Sequence, residues 1–296
     1  MHLAFAAGFG KAIDVQNRPT GSGFIRHVYA CRNVRRPYGR LPFRIGPAQV
    51  GWVLPALADA LRDFPEVRRD RDGVRLTEAE SLQRIARALA RRGFHRWRSE
   101  VFDVRAEPEG PVLAVIDRGA VPSFGVLAIG VHVNGLVRRE DGLHLWVGRR
   151  AANKQLDPGK LDHITAGGVP SGLNPDATLL KEAEEEAAIP PSLASRAVLR
   201  SKIGYAMERP EGLRRDLLHC YDLYLPEGFV PKPVDGEVSA FELWSLARVF
   251  DTVRDTDSFK FNVNLVLIDL FLRKGLISGP ESDRIRAALY AGEAGR

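Results

Sequence analysis

Apolar residues in the first part of the chain recur at helical spacing and then change to an alternating pattern. FIRHVYACRNV predicts a short helix, and AQVGWVLPALADALRDFP predicts a second one that Pro55 kinks or begins. LTEAESLQRIARALARRGF predicts a third helix, with Thr77 and Glu80 as a capping-box pair and Gly93 at its end. FHRWRSEVFDVRAE alternates as a strand does. Together these patterns predict a small α+β unit over residues 24–122.

The remainder of the chain combines β-type runs with strongly apolar helices. Runs on either side of Asp141-Gly142 predict a hairpin, because this dipeptide suits a tight turn with positive φ. A strand is predicted from Leu217 to Leu225, and VSAFELWSLARVF predicts a strand that leads into a helix. A buried helix is predicted to end at Gly275, and a last helix to start at Pro280. This loose alternation predicts an α/β domain with a mixed sheet and helices on both sides over residues 123–296.

Composition fits a globular protein of two domains. The chain has 296 residues, 45% hydrophobic and 27% charged, which is long and apolar enough for a substantial core. Residues 1–23 are rich in Gly, Asn, Pro and Ser and predict an extended N-terminal tail. The longest apolar runs are about ten residues, too short to span a bilayer. No basic segment precedes the apolar start, so we expect a cytoplasmic protein without a signal peptide.

The net charge and its distribution bear on the kind of partner. The 43 basic and 37 acidic residues give a net charge of +6, and the arginines fall in short pairs rather than in one block. This spread is a weak signal for nucleic acid, and a basic surface would also attract a phosphorylated small molecule, so charge alone does not choose between these partners. Cys31 and Cys220 are too far apart in sequence to form a disulfide framework or a zinc motif, and we expect buried thiols. The oligomeric state stays open, with a homodimer as one option.

The segment AGGVPSGLNPDATLLKEAEEEAAIP joins a glycine-rich turn to an acidic helix. At about 100° per residue, Glu182, Glu185 and Glu186 share one helix face and Glu184 points away. Like charges at this spacing destabilise a helix by about 0.2–0.5 kcal/mol per pair, so an offsetting interaction is expected. Clustered carboxylates suit Mg²⁺ or Mn²⁺. The alternative interpretation is a solvated acidic face.

This segment resembles the Nudix box, the loop–helix signature of the Nudix hydrolases. With Gly167 as the first glycine of that pattern, Glu182, Glu185, Glu186 and Ile189 fall on their positions without a gap. The resemblance implies an α/β/α sandwich with a mixed sheet, preceded here by the smaller α+β domain.

Three positions depart from the box. Leu173 stands in place of the first glutamate, Lys181 in place of the arginine, and Ala188 in place of the last glycine. In the family, the first glutamate and the arginine usually brace the loop against the helix. We therefore expect a different brace in this protein.

The resemblance implies an enzyme that hydrolyses a diphosphate joined to another moiety, with Mg²⁺ or Mn²⁺ as cofactor. It implies that Glu182, Glu185, Glu186 and the carbonyl of Gly167 hold the metal. One of these glutamates, or Glu237 from the segment DGEVSAFELWSL, is expected to take the proton. A non-catalytic regulator that binds a metabolite is the alternative, which the departures from the box leave open.

The phosphates of the substrate need cations and backbone donors beside the box. The candidates are Arg149, Arg150, Lys154 and Lys160, which precede it, and Gly168 within the glycine-rich turn. A ring attached to the diphosphate would need an aromatic or apolar cleft. The candidates for this cleft are Trp97, Phe124, Trp146, Tyr205 and Tyr221.

Over roughly residues 24–278, the chain is similar to a Nudix subgroup whose fungal and plant members are described as related to thiamine pyrophosphokinase. LPFRIGPAQVGWVLP and FHRWRSEVFDV carry this resemblance in the first half. It implies thiamine diphosphate, or its oxidised or toxic analogues, as a substrate cleaved to the monophosphate in metabolite repair. Another nucleoside diphosphate derivative, NADH or coenzyme A is the alternative. The N-terminal domain is left with three roles: part of the cleft, a dimer contact or a packing partner.

Overall fold

A computed structural model describes residues 23–34 and 39–291. The strands are β1 (Leu41–Ile45), β2 (Ala48–Val53), β3 (Val67–Asp70), β4 (Gly73–Leu76), β5 (Val101–Val104), β6 (Ala114–Asp117), β7 (Leu127–Arg139), β8 (Gly142–Arg150), β9 (Leu161–Asp162), β10 (Thr165–Gly168), β11 (Val198–Arg209), β12 (Gly212–Tyr224) and β13 (Val238–Ser245). The helices are α1 (Ile25–Ala30), α2 (Pro55–Leu61), α3 (Leu82–Arg91), α4 (Val121–Phe124), α5 (Pro175–Ala187), α6 (Pro191–Ala194), α7 (Leu246–Asp255), α8 (Val263–Arg273) and α9 (Gly279–Tyr290). The predicted tail lies outside the described residues, except for Gly23.

A seven-stranded mixed sheet forms the centre of the larger unit. Its main path runs β11-β12-β7-β8-β13, with β10 paired to β7 and β9 to β8. The pair β7–β12 is parallel and the other pairs are antiparallel. The predicted hairpin is present as β7–β8, and Gly142 in its turn has a φ of 127°.

Both faces of this sheet are covered by helices. Leu136 and Val137 are neighbours on β7 and are both fully buried, but they belong to different apolar clusters. Successive strand residues point to opposite faces, so each cluster lies on its own side of the sheet. Residues of α1, α7, α8 and α9 cover one side, and residues of α5 and α6 cover the other. This arrangement confirms the predicted α/β fold with a mixed sheet.

The smaller unit has its own apolar core around a second sheet. This sheet has the order β2-β1-β4-β3, and β5 pairs with β6 beside it. Its core includes side chains from both sheets and from α2, α3 and α4. The predicted α+β character of this region is confirmed.

Two local predictions in this unit were wrong. AQVGWVLPALADALRDFP is not one helix, because residues 48–53 pair with β1 as strand β2 and only Pro55 onward is helical. The sequence left Pro55 either to kink a helix or to begin one, and it begins α2. Thr77 donates its hydroxyl to the carbonyl of Glu66 rather than capping α3. Pairing across the turn therefore outweighed the helical spacing of the apolar residues.

The first helix packs on the larger unit, although it lies at the start of the chain. Phe24 belongs to the apolar cluster of α7, α8 and α9, and its ring centroid lies 4.8 Å from that of Phe250. Arg26 donates to the carbonyl of Thr256 at 2.6 Å. The predicted domain of residues 24–122 thus includes a helix whose contacts are with the C-terminal helices. The boundary near Pro122 stays a prediction.

The two cysteines and the apolar helices can be compared with what the sequence predicted. Cys31 and Cys220 are both buried and free, and burial raises the pKa of the Cys31 thiol to about 12. The expectation of two buried thiols is therefore confirmed. Within residues 23–34 and 39–291, no helix combines the length and apolar character that a bilayer span requires.

Candidate active site

Strand β10 and helix α5 carry the glycine turn and the glutamates. β10 pairs antiparallel with β7, so Gly167 lies opposite Val131 in the sheet. The α5 helix begins after Asn174, whose side chain accepts a hydrogen bond from the backbone N–H of Ala177 at 2.8 Å. Leu179 and Ala183 of α5 are buried in the apolar cluster on this side of the sheet. Packing thus holds the helix against the strand that contains the glycines.

Two of the predicted metal ligands touch the glycine strand directly. The N–H of Ala166 donates to the Glu186 carboxylate at 2.9 Å. A Cβ atom on Gly167 would lie 2.5 Å from Cδ of Glu182, so the glycine lets this carboxylate lie directly against the strand. Glu185 is on the same side of α5 but more exposed, and its carboxylate accepts from Lys181 at 2.5 Å.

The electrostatics of these glutamates favour a cation. Burial raises the pKa of Glu186 to about 8, and it also raises the pKa of Glu182. Lys181 contacts Glu182 at 3.4 Å and Glu185 at 2.5 Å, whereas Glu186 accepts a neutral backbone N–H. A buried carboxyl group without a cationic partner stays protonated until a positive charge reaches it.

A second loop brings two more carboxylates to the same place. Oxygen atoms of Glu186, Asp235 and Glu237 all lie within 4.8 Å of one another. Glu237 is one of the residues predicted from the sequence, and the structure brings it to Glu186. Asp235 was missed, although it lies two residues away in the same DGE segment. Neighbouring loop acids carry no periodic signal that distinguishes a ligand from an exposed residue.

The donor set fits a divalent cation. All of its side-chain donors are carboxylate oxygens, which hard cations such as Mg²⁺ and Mn²⁺ prefer. Lys154 forms an ion pair with Glu237, and this pairing lowers the pKa of Glu237 against the opposing effect of burial. Glu237 is thus ionised near neutral pH, ready to accept a cation or a proton.

A cavity of about 950 Å³ lies between the two units, next to these carboxylates. Its lining includes Gly167, Gly168 and Glu237. The glutamates of α5 lie outside the lining, and Glu182 and Glu186 reach it through their contacts with Gly167 and Ala166. Basic residues outnumber acidic ones in the lining by eight to four. The carboxylate cluster therefore borders a cavity that favours anions.

The predicted phosphate-binding cations divide into two pairs. Arg150 and Lys154 line the cavity. Arg149 and Lys160 do not, because Arg149 faces Glu242 at 3.8 Å and Lys160 donates to the carbonyl of Asp257 at 2.8 Å. Successive residues on a strand point to opposite faces, which separates Arg149 from Arg150.

A buried cluster of charged and histidine side chains contributes His132, Arg150 and Lys260 to the cavity lining. Arg150 contacts the Asp162 carboxylate at 2.7 Å and Lys260 contacts it at 3.6 Å, and these cations lower the pKa of Asp162 although burial opposes them. His132 and His163 lie beside it with their Nδ1 atoms 3.0 Å apart, and burial lowers the pKa of His163 to about 4. Oxygen and nitrogen atoms of His132, Asp162 and His163 are close enough for a metal. The two cations on Asp162 make this group an ion-pair network instead.

The aromatic residues predicted for the cleft do not line this cavity. Phe124, Trp146, Tyr205 and Tyr221 are buried in the apolar clusters, and Trp97 packs against the core of the smaller unit. The aromatic rings in the lining are instead those of Phe94, His95 and Phe102 from the N-terminal unit and His132 from β7. Phe102 fits tightly over the glycine turn, since a Cβ on Gly168 would lie 2.5 Å from its Cζ.

The loop between the glycines and α5 has a different brace from the one in the family pattern. Leu173 is partly exposed, and Lys181 contacts Glu182 and Glu185 rather than this loop. Strand β5 of the smaller unit holds the loop instead. Ser171 donates its N–H to the carbonyl of Val101 and its hydroxyl to Asp103, each at 2.7 Å.

Comparison with known proteins assigns both parts of the chain. Residues 128–263 match the model of the NUDIX domain, and residues 23–128 match a Domain of unknown function (DUF4743). Nudix hydrolase 20, chloroplastic, of Arabidopsis thaliana is 36% identical over 281 residues, covering 88% of this chain and 75% of its own. Nudix hydrolase 24, chloroplastic, of the same plant is 36% identical over 280 residues, covering 90% and 76%.

Among solved structures, the MutT protein of Methanosarcina mazei overlaps 50% of this chain and 95% of its own. The two chains are 19% identical and superpose with a TM-score of 0.37. The names of the two plant relatives give a hydrolase family and a chloroplast location but no substrate. The cytoplasmic location expected from the sequence stays a prediction.

Proposed function

The chain belongs to the Nudix hydrolase family and is a pyrophosphohydrolase, and from this premise we propose which linkage it cleaves and with which residues. The proposed substrate is an organic diphosphate bound in the cavity between the two units, with its phosphates beside Gly167 and Gly168. The observation that carries this proposal is the meeting of Glu186, Asp235 and Glu237 at the edge of that cavity.

Glu182, Glu185 and Glu186 would hold Mg²⁺ or Mn²⁺, with the carbonyl of Gly167 as a further ligand. When bound, such an ion neutralises phosphate oxygens and lowers the pKa of a coordinated water. The carboxylates of the chain would fix the position of the ion. The close contact of Glu182 with Gly167 would keep the ion beside the phosphates.

We propose Glu237 as the proton acceptor. It lines the cavity, and its ion pair with Lys154 lowers its pKa, so that it is ionised at neutral pH. Glu185, by contrast, is half-exposed on the helix and bonded to Lys181. Arg150 and Lys154 would contact phosphate oxygens from the same side of the cavity.

For the organic group, we propose thiamine diphosphate or its oxidised analogues, cleaved by water to the monophosphate and inorganic phosphate. The rings of Phe94 and Phe102 offer apolar surface for a heterocycle. The excess of basic residues in the lining disfavours a positively charged thiazolium and favours an analogue whose ring is oxidised and neutral. The charge of the lining therefore favours the oxidised forms over thiamine diphosphate itself.

A nucleoside diphosphate derivative is the second candidate. The cavity volume of about 950 Å³ is large for a single heterocycle and leaves room for a nucleotide such as NADH. Comparative hydrolysis with Mg²⁺ of oxothiamine, oxythiamine and thiamine diphosphates, ADP-ribose, NADH and coenzyme A distinguishes the two. The highest kcat/KM identifies the substrate class.

The test of the active site compares three substitutions with a control on the same helix. We expect Glu182→Gln, Glu185→Gln and Glu186→Gln each to lower kcat about 100-fold or more, because each removes a charged metal ligand. Glu184→Gln is the matched control, since Glu184 is exposed on α5 and belongs to neither carboxylate group, and it should leave kcat within about twofold. Unchanged turnover in all three variants would contradict the assignment. Metabolite binding without any turnover in the wild type would identify a regulator instead.

A further inference from the structure

The N-terminal unit contributes its own basic groups to the cavity. Arg96 and Arg98 lie in the segment between α3 and β5, and Arg118 directly follows β6. All three line the cavity that Gly167, Gly168 and Glu237 also line. This part of the cavity wall therefore comes from a segment of the chain outside the NUDIX match.

A buried acid bonds to the backbone at Arg98 and directly after Arg118. Asp117 is fully buried, and its carboxylate accepts from the N–H of Arg98 at 2.9 Å and from the N–H of Gly119 at 2.8 Å. The N–H of Arg118 donates to the carbonyl of Glu100 at 2.7 Å. These bonds join the two arginine-bearing segments, so the backbone positions of Arg98 and Arg118 are fixed relative to one another, and Arg96 lies two residues before Arg98.

The charge of this cluster is only partly compensated. Arg118 pairs with Glu100 at 2.7 Å, and among the residues that the structure describes neither Arg96 nor Arg98 forms an ion pair. Burial lowers the pKa of Arg98, and the neighbouring Arg118 and Arg96 lower it further. Like charges held together on a rigid backbone call for an anionic partner.

The cluster lies close to the proposed metal site. The guanidinium carbon of Arg118 is 5.6 Å from the centroid of the Phe102 ring, and Phe102 packs onto Gly168. The charge of Arg118 also acts to lower the pKa of both Glu182 and Glu237. One aromatic ring therefore separates this arginine from the glycine turn.

We propose that Arg96, Arg98 and Arg118 form an anion subsite for the diphosphate of the substrate, so that the N-terminal unit is half of the active site. This inference rests on the proposed function and assigns the phosphate oxygens that face away from the carboxylate cluster to these three guanidinium groups. Each guanidinium can bind two oxygens of a phosphate or of a carboxylate at once, and three such groups together suit the several charged oxygens of a di- or polyphosphate better than a single carboxylate.

The test measures binding separately from turnover, with the full chain. Methylenediphosphonate, which is not hydrolysed, is titrated with Mg²⁺ by calorimetry into the wild type and the variants. We expect Arg98→Gln and Arg118→Gln to raise Kd about tenfold or more and Arg96→Gln about threefold or more. Arg98→Lys should retain part of the affinity, because it keeps the charge but loses the fork of donors.

Arg71→Gln is the matched control. Arg71 is an exposed arginine of the same unit, in the turn between β3 and β4, and it does not line the cavity. It should leave Kd within about twofold, and thermal melts should show that every variant is folded. On the true substrate, KM of the cavity variants should rise with Kd.

The outcomes separate the two proposals. The subsite would be overturned if all three glutamine variants bound the probe with wild-type affinity. It would also be overturned if they lost no more affinity than Arg71→Gln does. A wild type that does not bind the diphosphonate would overturn it as well. If the wild type binds the probe with the expected dependence on arginine but hydrolyses no diphosphate, the subsite stands and the proposed function fails.

Discussion

At the scale of single residues, Glu186 shows the conflict between stability and chemistry. Its carboxyl group is buried, its bonded partner is a backbone N–H, and burial raises its pKa to about 8. A group placed in this way destabilises the folded protein whenever it ionises. The same property makes it a strong ligand once a cation is present, because the cation removes the cost of the charge.

The pH dependence of stability tests this placement. Between the ordinary pKa of 4.5 and about 8, the folded protein keeps a proton on Glu186 that the unfolded chain releases. The unfolded state then binds fewer protons, so without metal the free energy of unfolding should fall as pH rises through this range. Glu186→Gln has no proton to lose and should be more stable than the wild type at pH 8 by on the order of 2 kcal/mol.

Urea unfolding in EDTA at several pH values between about 5 and about 8 measures this difference. Adding Mg²⁺ should stabilise the wild type more than Glu186→Gln, because the ion binds the folded state of the wild type more tightly. Parallel pH profiles for the two proteins would show that Glu186 is not buried as the structure places it.

At the scale of elements, the end of α5 shows how one departure from the Nudix box is accommodated. Ala188 stands where the family pattern has glycine, and it adopts a left-handed conformation with φ of 52°. Its N–H donates to the carbonyl of Glu184 at 3.2 Å, and the N–H of Ile189 donates to that of Ala183 at 3.0 Å. The helix therefore ends as it would with glycine, at a steric cost to the alanine.

Substitution at this position should stabilise the protein. We expect Ala188→Gly to raise the free energy of unfolding by about 1 kcal/mol, because glycine adopts positive φ without a Cβ clash. Ala187→Gly, at the last residue of the helix, should lower it by about 1 kcal/mol or more, because it loses helix propensity and a buried methyl group. Thermal or urea unfolding gives both values. Destabilisation of similar size in both variants would mean that Ala188 is not left-handed in solution.

At the scale of the whole molecule, the chain carries a net positive charge, and basic residues outnumber acidic ones by a larger ratio in the cavity lining than in the whole chain. The net charge is +6, and the cavity lining holds eight basic against four acidic residues. The positive groups come from both units and converge on one opening. Such a field concentrates an anionic substrate and is weakened by salt.

Ionic strength should therefore affect substrate capture more than chemistry. Raising NaCl from about 50 to about 300 mM at fixed Mg²⁺ should lower kcat/KM by about three- to tenfold. The change should appear mainly in KM, because salt screens the long-range attraction of the anionic substrate more than the short contacts made once it is bound. Initial-rate measurements over the salt series provide the test, with sucrose as a control for osmolarity. A kcat/KM independent of salt would argue against steering by the basic cavity.

The sequence by itself determined the features that arise from the spacing of residues within one helix or one hairpin. The shared face of Glu182, Glu185 and Glu186, the hairpin of β7 and β8, and the buried α8 all follow from periodicity within one element. Even the departures at Lys181 and Ala188 were visible, because the box pattern covers a continuous segment. Side-chain direction within a helix or strand needs no knowledge of the rest of the molecule.

Tertiary structure decided which distant segments meet. Only the folded chain places Asp235 beside Glu186, Arg118 beside the glycine turn, and α1 against α8. It also assigned AQVGWV to a strand, because pairing with β1 supplied backbone hydrogen bonds that local spacing does not predict. A cavity between two units is formed by residues far apart in sequence, and their proximity is set by the packing of whole elements rather than by the pattern inside any one of them.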